Sequence, residues 1–468
     1  MKGRTSTRVL AALAAGSLLV VACSDDKDAG TTTAAPTTEA GGTDTTEGGT
    51  TETTEGGTTE TTEPAPTGWA VNTDDCIDPA AANAVIEGPV KIGSVMPLSG
   101  DTSADEAFAP VKVGFEAYFD YASENGLLGD LEIEVQIEDD QYSKDLTPGK
   151  VSKLLDDGAQ VISAIVGTPN NLAVRDNLNE ECIPQIEALT GDVRWGNDVA
   201  NYPWTSGDRV PYDLEAKVYA AQIAEQFPEG ARVSLYYIDT DFGKQYADTF
   251  KEVADEYGIE IVSEDTVGAT DSAPPVAQVT NIAANTPDAI MAVPLGIGCV
   301  TFLNELASKR AVTAGWTPPI FITNTCASSL ILNGAGASAD GIYTSNNLVD
   351  VTDPSVADVP AVQDYVAYMT SIGQEGVMTT AEAGWTAAEV TVAILLQAAA
   401  SPEGLTRASI INATRNFTYT PSLARTGVTY KSSGEEDGYM AQSLQVLQYD
   451  ADTKTFTSIG DLVTEFES

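Results

Sequence analysis

Hydrophobic positions along this chain change character twice. Residues 9–21 form a short, almost wholly apolar run, VLAALAAGSLLVV, behind a start that carries Lys2, Arg4 and Arg8. From Ser24 to Thr67 large apolar side chains vanish, and TTEGGTTE stands at 45–52 and again at 53–60. From Trp69 onward, short apolar blocks alternate with stretches of helical period. The blocks that predict buried strands are Val90–Met96, Leu131–Ile137, Val161–Val166, Arg232–Ile238, Ile259–Val262, Ala289–Val293 and Pro319–Ile322. Helices are expected over Val111–Glu124, Leu214–Phe227, Lys244–Tyr257 and Val300–Arg310. This alternation predicts an α/β fold in which helices cover both faces of parallel sheets. In such sheets ligands collect at the carboxyl ends of the strands, beside helix N-termini.

The two segments before the body have their own logic. A basic start, a short apolar stretch and a small residue before Cys23 make a secretory signal peptide. The run is shorter than the roughly 20 residues that span a bilayer. Val20-Val21-Ala22-Cys23, followed at once by Ser24-Asp25-Asp26, resembles a bacterial lipoprotein signal with its lipobox. That resemblance implies removal of residues 1–22, a lipid on Cys23 and a place on the extracytoplasmic face of the cell membrane. The plainer reading is an ordinary signal or anchor with an incidental cysteine. Residues 24–67 have too little to bury to offset their ordering entropy, so a disordered, charge-extended tether is expected over 23–67. A glycosylated or adhesive stalk is the alternative.

Charge and composition exclude whole classes of function. The net charge of −46 repels phosphate backbones, so no nucleic-acid partner is expected. It equally disfavours electrostatic adhesion to anionic lipid, which leaves the acyl chain as the tether. Histidine is absent, which removes Ser-His-Asp and Cys-His catalysis and imidazole-based metal sites. No catalytic residue, cofactor or metal is expected. Five cysteines are present; setting Cys23 aside leaves Cys76, Cys182, Cys299 and Cys326, with no CxxC spacing. In an oxidising compartment these predict two disulfides, with three pairings open.

Residues 89–145 carry a family resemblance. PVKIGSVMPLSGD, VKVGFEAYFDYASENG and LEIEVQIEDDQYSKDLTPGK follow in order, with Leu98-Ser99-Gly100, Asn125-Gly126 and Asp139-Asp140 at the turns. SAIVGTPNN at 163–171, CIPQIEALTGD at 182–192, VSLYYIDTDFGKQYADTF at 233–250 and EAGWTAAEVTVAILLQAA at 382–399 continue the series. The chain resembles the branched-chain amino-acid binding protein family, the type I solute-binding lobes of ABC importers, over roughly residues 88–458. The resemblance implies two Rossmann-like lobes joined by three crossovers and closing on a small molecule. The crossovers are expected near 204–211, near 344–351 and between 431 and 440. One lobe would then hold 70–206 and 349–432, the other 207–348 and 433–468. This division puts Cys76 with Cys182 and Cys299 with Cys326, and that pairing is the one expected.

The resemblance also nominates a ligand site. In the first lobe, Gly167-Thr168-Pro169-Asn170-Asn171 and Leu189-Thr190-Gly191-Asp192 are loop-to-helix junctions whose N–H groups could hold an anion. Ser99, Thr168, Asn170, Asn171, Thr190 and Gly191 are its candidates, although Thr and Asn are also common helix caps. From the second lobe come Phe242, Gly296, Asn324 and Thr325, and from the hinge side Trp385. Core packing is the alternative reading for Phe242 and for Trp385. Amino-acid-binding members place an acid near Thr325 to meet the ligand's ammonium. FITNTCAS offers none, and only Asp192, Asp239 or Asp241 could substitute. The GxGxxA run at 334–339 reads as a turn, and Asp139-Asp140 and Asp239/Asp241 as caps and surface charges rather than catalytic pairs.

The expectation is therefore a lipid-anchored, monomeric solute-binding protein. It would pass an amino acid, amide or small carboxylate to the permease of an ABC importer. The missing acid tilts the choice toward a carboxylate or amide without a free amine. A ligand-sensing receptor lobe, a carboxylate-based hydrolase and a structural envelope protein are the rival readings.

Overall fold

The computed structural model describes residues 68–100, 105–269 and 271–464. The expected signal, Cys23 and tether lie outside the described residues. So do 465–468.

Two sheets are built in the same order. β1 (Val90–Met96), β2 (Ile133–Asp139), β3 (Val161–Ser163), β4 (Gln185–Ala188) and β5 (Thr205–Gly207) form an all-parallel sheet ordered β2-β1-β3-β4-β5. β6 (Ala231–Ile238), β7 (Ile259–Val267), β8 (Ala289–Val293), β9 (Ile320–Ile322) and β10 (Tyr343–Asn346) repeat it as β7-β6-β8-β9-β10. β11 (Asn416–Tyr419) and β12 (Tyr430–Ser433) pair as a separate antiparallel ribbon. β13 (Leu444–Asp450) and β14 (Thr455–Val463) then extend the second sheet antiparallel beyond β10. The reversal of strand order between β1 and β3, and again between β6 and β8, makes the switch point beside which such sheets open a crevice.

Helices cover both faces of each sheet because the strands are apolar on both. α1 (Pro79–Asn83) precedes β1, and α2 (Asp105–Glu124) follows it. α3 (Thr147–Asp156) and α4 (Thr168–Glu180) bury Val151, Leu154, Val174 and Leu178 on one face of the first sheet. α5 (Arg194–Asn197) is a single turn, and α6 (Tyr212–Gln226) and α7 (Asp241–Ala254) cover one face of the second sheet. Its other face takes α8 (Val276–Asn285), α9 (Ile297–Val312) and α10 (Ser329–Ala335). α11 (Pro360–Ser371), α12 (Met378–Ala399) and α13 (Arg407–Arg415) return to the first lobe's core.

The chain leaves the first lobe after Gly207, returns to it after Asn346 and crosses again between Ser433 and Leu444. Both expected disulfides are present: Cys76–Cys182 in the first lobe and Cys299–Cys326 in the second. α2 and α12 meet backbone to backbone. A Cβ on Gly114 would stand 1.8 Å from the Ala381 carbonyl oxygen, and one on Gly384 would stand 1.9 Å from that of Val111.

The boundaries differ from expectation for identifiable reasons. β3 stops at Ser163 because Ala164 takes a positive φ of 60°, although the apolar run continues to Val166. β2 starts two residues late and runs on to Asp139, whose carboxylate turns the chain. α2 begins ahead of Pro110 and runs through it, giving up one intrahelical hydrogen bond. β7 extends to Val267 as a half-exposed edge strand, so its outer half has no apolar signature.

Candidate functional site

The carboxyl ends of the two sheets face one cavity of about 130 Å³. Tyr142 follows β2, Val166 and Gly167 follow β3, and Leu189 follows β4. Opposite them stand Leu295 after β8, Asn324 and Thr325 after β9, and Asn346 at the end of β10. α2 adds Phe108 and Val111, α10 adds Ile331, and α12 adds Thr379, Thr380 and Glu382. The walls are mainly apolar, with polar groups from Arg209, Glu382 and the adjacent pairs Asn324-Thr325, Asn346-Asn347 and Thr379-Thr380, which suits a small-molecule site.

The anion junctions of the first lobe are already filled. Thr168 and Thr190 hydroxyls lie 2.6 Å apart and are buried. The Tyr212 phenol reaches the same spot. Burial pushes its pKa up, while hydrogen bonds from the Thr190 hydroxyl, the Gly191 N–H and the Thr168 hydroxyl work the other way. The Tyr212 ring lies so close to Gly191 that a Cβ there would be 2.8 Å from it. Tyr142 likewise lies over the start of α4, 2.5 Å from where a Gly167 Cβ would be. Its left-handed backbone (φ 54°), shared with Gln141, is held by two carboxylates. Gln141 N–H donates to Asp139 and Tyr142 N–H to Asp140, both at 3.0 Å.

Behind the cavity stands a wall of ionisable groups. Asp208 is fully buried, with its Oδ1 3.2 Å from Nε of Arg209, and neither carboxylate oxygen has a hydrogen-bond partner. Desolvation pushes its pKa up to about 7, against the pull of Arg209. Glu187 is also fully buried with both oxygens unpaired, and burial, with Asp208 nearby, pushes it well above the carboxylate range. Glu382 lines the cavity itself and is raised for the same reason, with Asp350 adding to the shift.

The second lobe is organised by Glu215. This buried carboxylate accepts from Asn324 N–H (2.9 Å), Ser345 (2.6 Å), Tyr219 (2.5 Å) and Tyr246. It thereby ties the cavity ends of β9 and β10 to α6 and α7. Burial pushes its pKa up to about 6, and the hydrogen bonds limit the rise.

Of the residues nominated from sequence, Phe242, Asn324 and Thr325 line the cavity. Thr168, Thr190 and Gly191 lie one layer behind it, under Tyr212. Asn170 donates to Asp140 (2.7 Å), and Asn171 donates to the Ile165 and Gly167 carbonyls (2.7 and 2.9 Å). Ser99 is exposed and bonded to Asp139. Gly296 has a positive φ of 53° ahead of α9, and its neighbour Leu295 faces the cavity instead. Trp385 is packed among Tyr118, Tyr121 and Tyr365 in the first lobe's core. The proposed substitutes for the missing acid are engaged elsewhere: Asp192 with Arg194 (2.6 Å), Asp239 with Lys244 (2.7 Å), and Asp241 near Arg194 (3.7 Å).

The residues missed are Tyr142, Arg209, Tyr212 and Glu382. A usable signal existed for Glu382. α12 is apolar or small almost throughout, so an acid in it had either to be paired or to face a cavity.

Comparison with known proteins agrees with this architecture. A family model described as periplasmic binding protein matches residues 89–454. No curated protein sequence matches. Among solved structures, a branched-chain amino acid ABC transporter protein from Thermus thermophilus with bound valine is 17% identical, with a TM-score of 0.70 over 81% of this chain and 97% of that one. A solute-binding protein from R. palustris in complex with benzoate is 18% identical, with a TM-score of 0.66 over 81% and 98%. A fatty acid ABC transporter substrate-binding protein from Thermomonospora curvata is 18% identical, with a TM-score of 0.65 over 81% and 95%. With two like-ordered sheets, three crossings and a cavity at their facing strand ends, the chain belongs to the periplasmic binding protein family, in its type I form.

Proposed function

We propose that this protein captures a small, largely apolar solute outside the cytoplasm and delivers it, unconverted, to the permease of an ABC importer. The supporting observation is the cavity itself, which draws its walls from the strand ends of both lobes. A ligand held there contacts both lobes at once, so its binding free energy favours the closed arrangement over the open one. Closure is then the signal that a permease reads. Cys23 and the segment behind it supply the lipid anchor and the tether, and the protein acts as a monomer at the membrane surface.

The reading is tested by thermal unfolding of the intact chain in mild detergent against amino acids, amines, amides and small carboxylates. A ligand at 100 times its dissociation constant adds about 2.7 kcal/mol, which is a clear shift. One selective class of hits is the expected result. Silence across the whole panel would reject solute capture. Radiolabelled palmitate incorporation that is lost in Cys23→Ser tests the anchor.

A further inference from the structure

Two acids stand on α12 seven residues apart, and they are treated differently. Glu389 accepts hydrogen bonds from Tyr419 (2.8 Å), Ser422 N–H (2.9 Å) and the Ser422 hydroxyl (2.7 Å). Glu382 is 5% exposed and lines the cavity, and its Oε2 has no partner at all. A buried carboxylate oxygen without a donor is costly, and a retained one asks for the group that completes it.

The surroundings decide what that group is. The Val351 N–H approaches the Glu382 carboxyl, and the ionisable groups facing it are Asp350, Arg209, Arg425 and, from α11, Tyr365. Arg209 already stands against Asp208. Counted with Glu187, the buried carboxyls of this wall outnumber its guanidiniums. A ligand carboxylate would add to that surplus, and the junctions that could have offset it are occupied by the Tyr212 phenol and the Tyr142 ring. An ammonium would reduce the surplus and supply the missing donors. Phe108, Val111, Leu189, Leu295 and Ile331 leave an apolar space for the rest of the molecule.

We propose that the solute carries a primary amine on a compact apolar body, and that its ammonium is bound by Glu382. The proposal rests on the solute-capture reading and narrows it. It moves the ammonium partner from the second lobe's strand end, where none was found, to the first lobe's α12. It also replaces the expectation of an amine-free ligand.

The test is calorimetry on the intact chain with molecules that share a body and differ in the head: 3-methylbutan-1-amine and phenethylamine against isovalerate and 3-phenylpropanoate. The amines are expected to bind and the amine-free acids not. Glu382→Gln, with its fold checked by thermal unfolding, should weaken amine binding by roughly thirty-fold or more. Glu389→Gln serves as the control on the same helix and should leave amine affinity unchanged. Binding of the acids but not the amines would overturn the proposal and leave solute capture standing. Amine binding unaffected by Glu382→Gln would do the same. Failure of every compound here, and of the wider panel above, would reject both.

Discussion

Arg194 in the first lobe lies 3.7 Å from Asp241 at the start of α7 in the second, while two of its nitrogens grip the buried Asp192 at 2.6 and 2.7 Å. One guanidinium thus belongs structurally to one lobe and electrostatically to both. The Asp192 contact is bidentate and part-buried, whereas Asp241 is half exposed, so the contact between lobes is the weaker of the two.

Asp241→Asn removes that weaker contact. The expected outcome is a rise in ligand dissociation constant of up to about five-fold, with the unfolding midpoint nearly unchanged. The effect should fade in high salt, as an exposed pair's must. Titration of both forms at low and high salt checks this, and an equal loss at both would point to packing instead.

Stability should fall as pH rises from about 4 to about 7. Asp208 is pushed up to about 7 and Glu215 to about 6, so between their ordinary and raised values the folded chain holds protons that the unfolded chain has released. Their ionisation therefore disfavours the folded form, by a few kcal/mol in all. Urea midpoints at pH 5 and pH 8, in salt high enough to screen the acidic surface, should be higher at pH 5. Equal midpoints would mean that these carboxyls are hydrated in solution.

Gly114→Ala and Gly384→Ala should each cost about 3 kcal/mol or more, because the new methyl meets a carbonyl oxygen of the facing helix at under 2 Å. Gly126→Ala, at a turn with open space around the Cβ position but a positive φ of 68°, should cost only about 1 kcal/mol. Denaturant unfolding of the three variants side by side gives the comparison. A mild effect at Gly114 or Gly384 would mean that α2 and α12 can separate.

Loss of either disulfide should be felt in proportion to the loop it closes. Cys76–Cys182 spans 106 residues and Cys299–Cys326 spans 27, so chain-entropy arguments give about 4.8 and 3.6 kcal/mol as upper values. The double serine variants, unfolded in urea, should keep that order. The reverse order would show that the first bridge constrains little beyond the short segment before β1.

Much of the fold was legible because it is repetitive. Buried parallel strands announce themselves as apolar runs, and β1, β6 and β8 fall close to where such runs lie. Half-exposed β7 and the left-handed break at Ala164 do not announce themselves. Phe242, Asn324 and Thr325 were found because a strand end fixes where a loop must face. Tyr142, Arg209 and Tyr212 were missed because their roles depend on a second segment meeting them in space. Thr190 cannot reveal that a tyrosine some twenty residues later will claim its hydroxyl. Glu382 belongs between these cases: its helix was foreseen, but which face of that helix stays unpaired is a tertiary fact.

Tyr212, at the start of the second lobe's α6, brings a head group to the first lobe's junctions from across the crevice. Where a ligand would otherwise have to displace water from two threonine hydroxyls and an amide, a covalently attached phenol is already seated. That corner of the crevice is therefore covered by a buried side chain, and a solute gains little by reaching for it. Selectivity is shifted to the opposite wall. A variant with a small side chain at residue 212 would open the Thr168 and Thr190 hydroxyls to the crevice, without a single change to the loops that carry them.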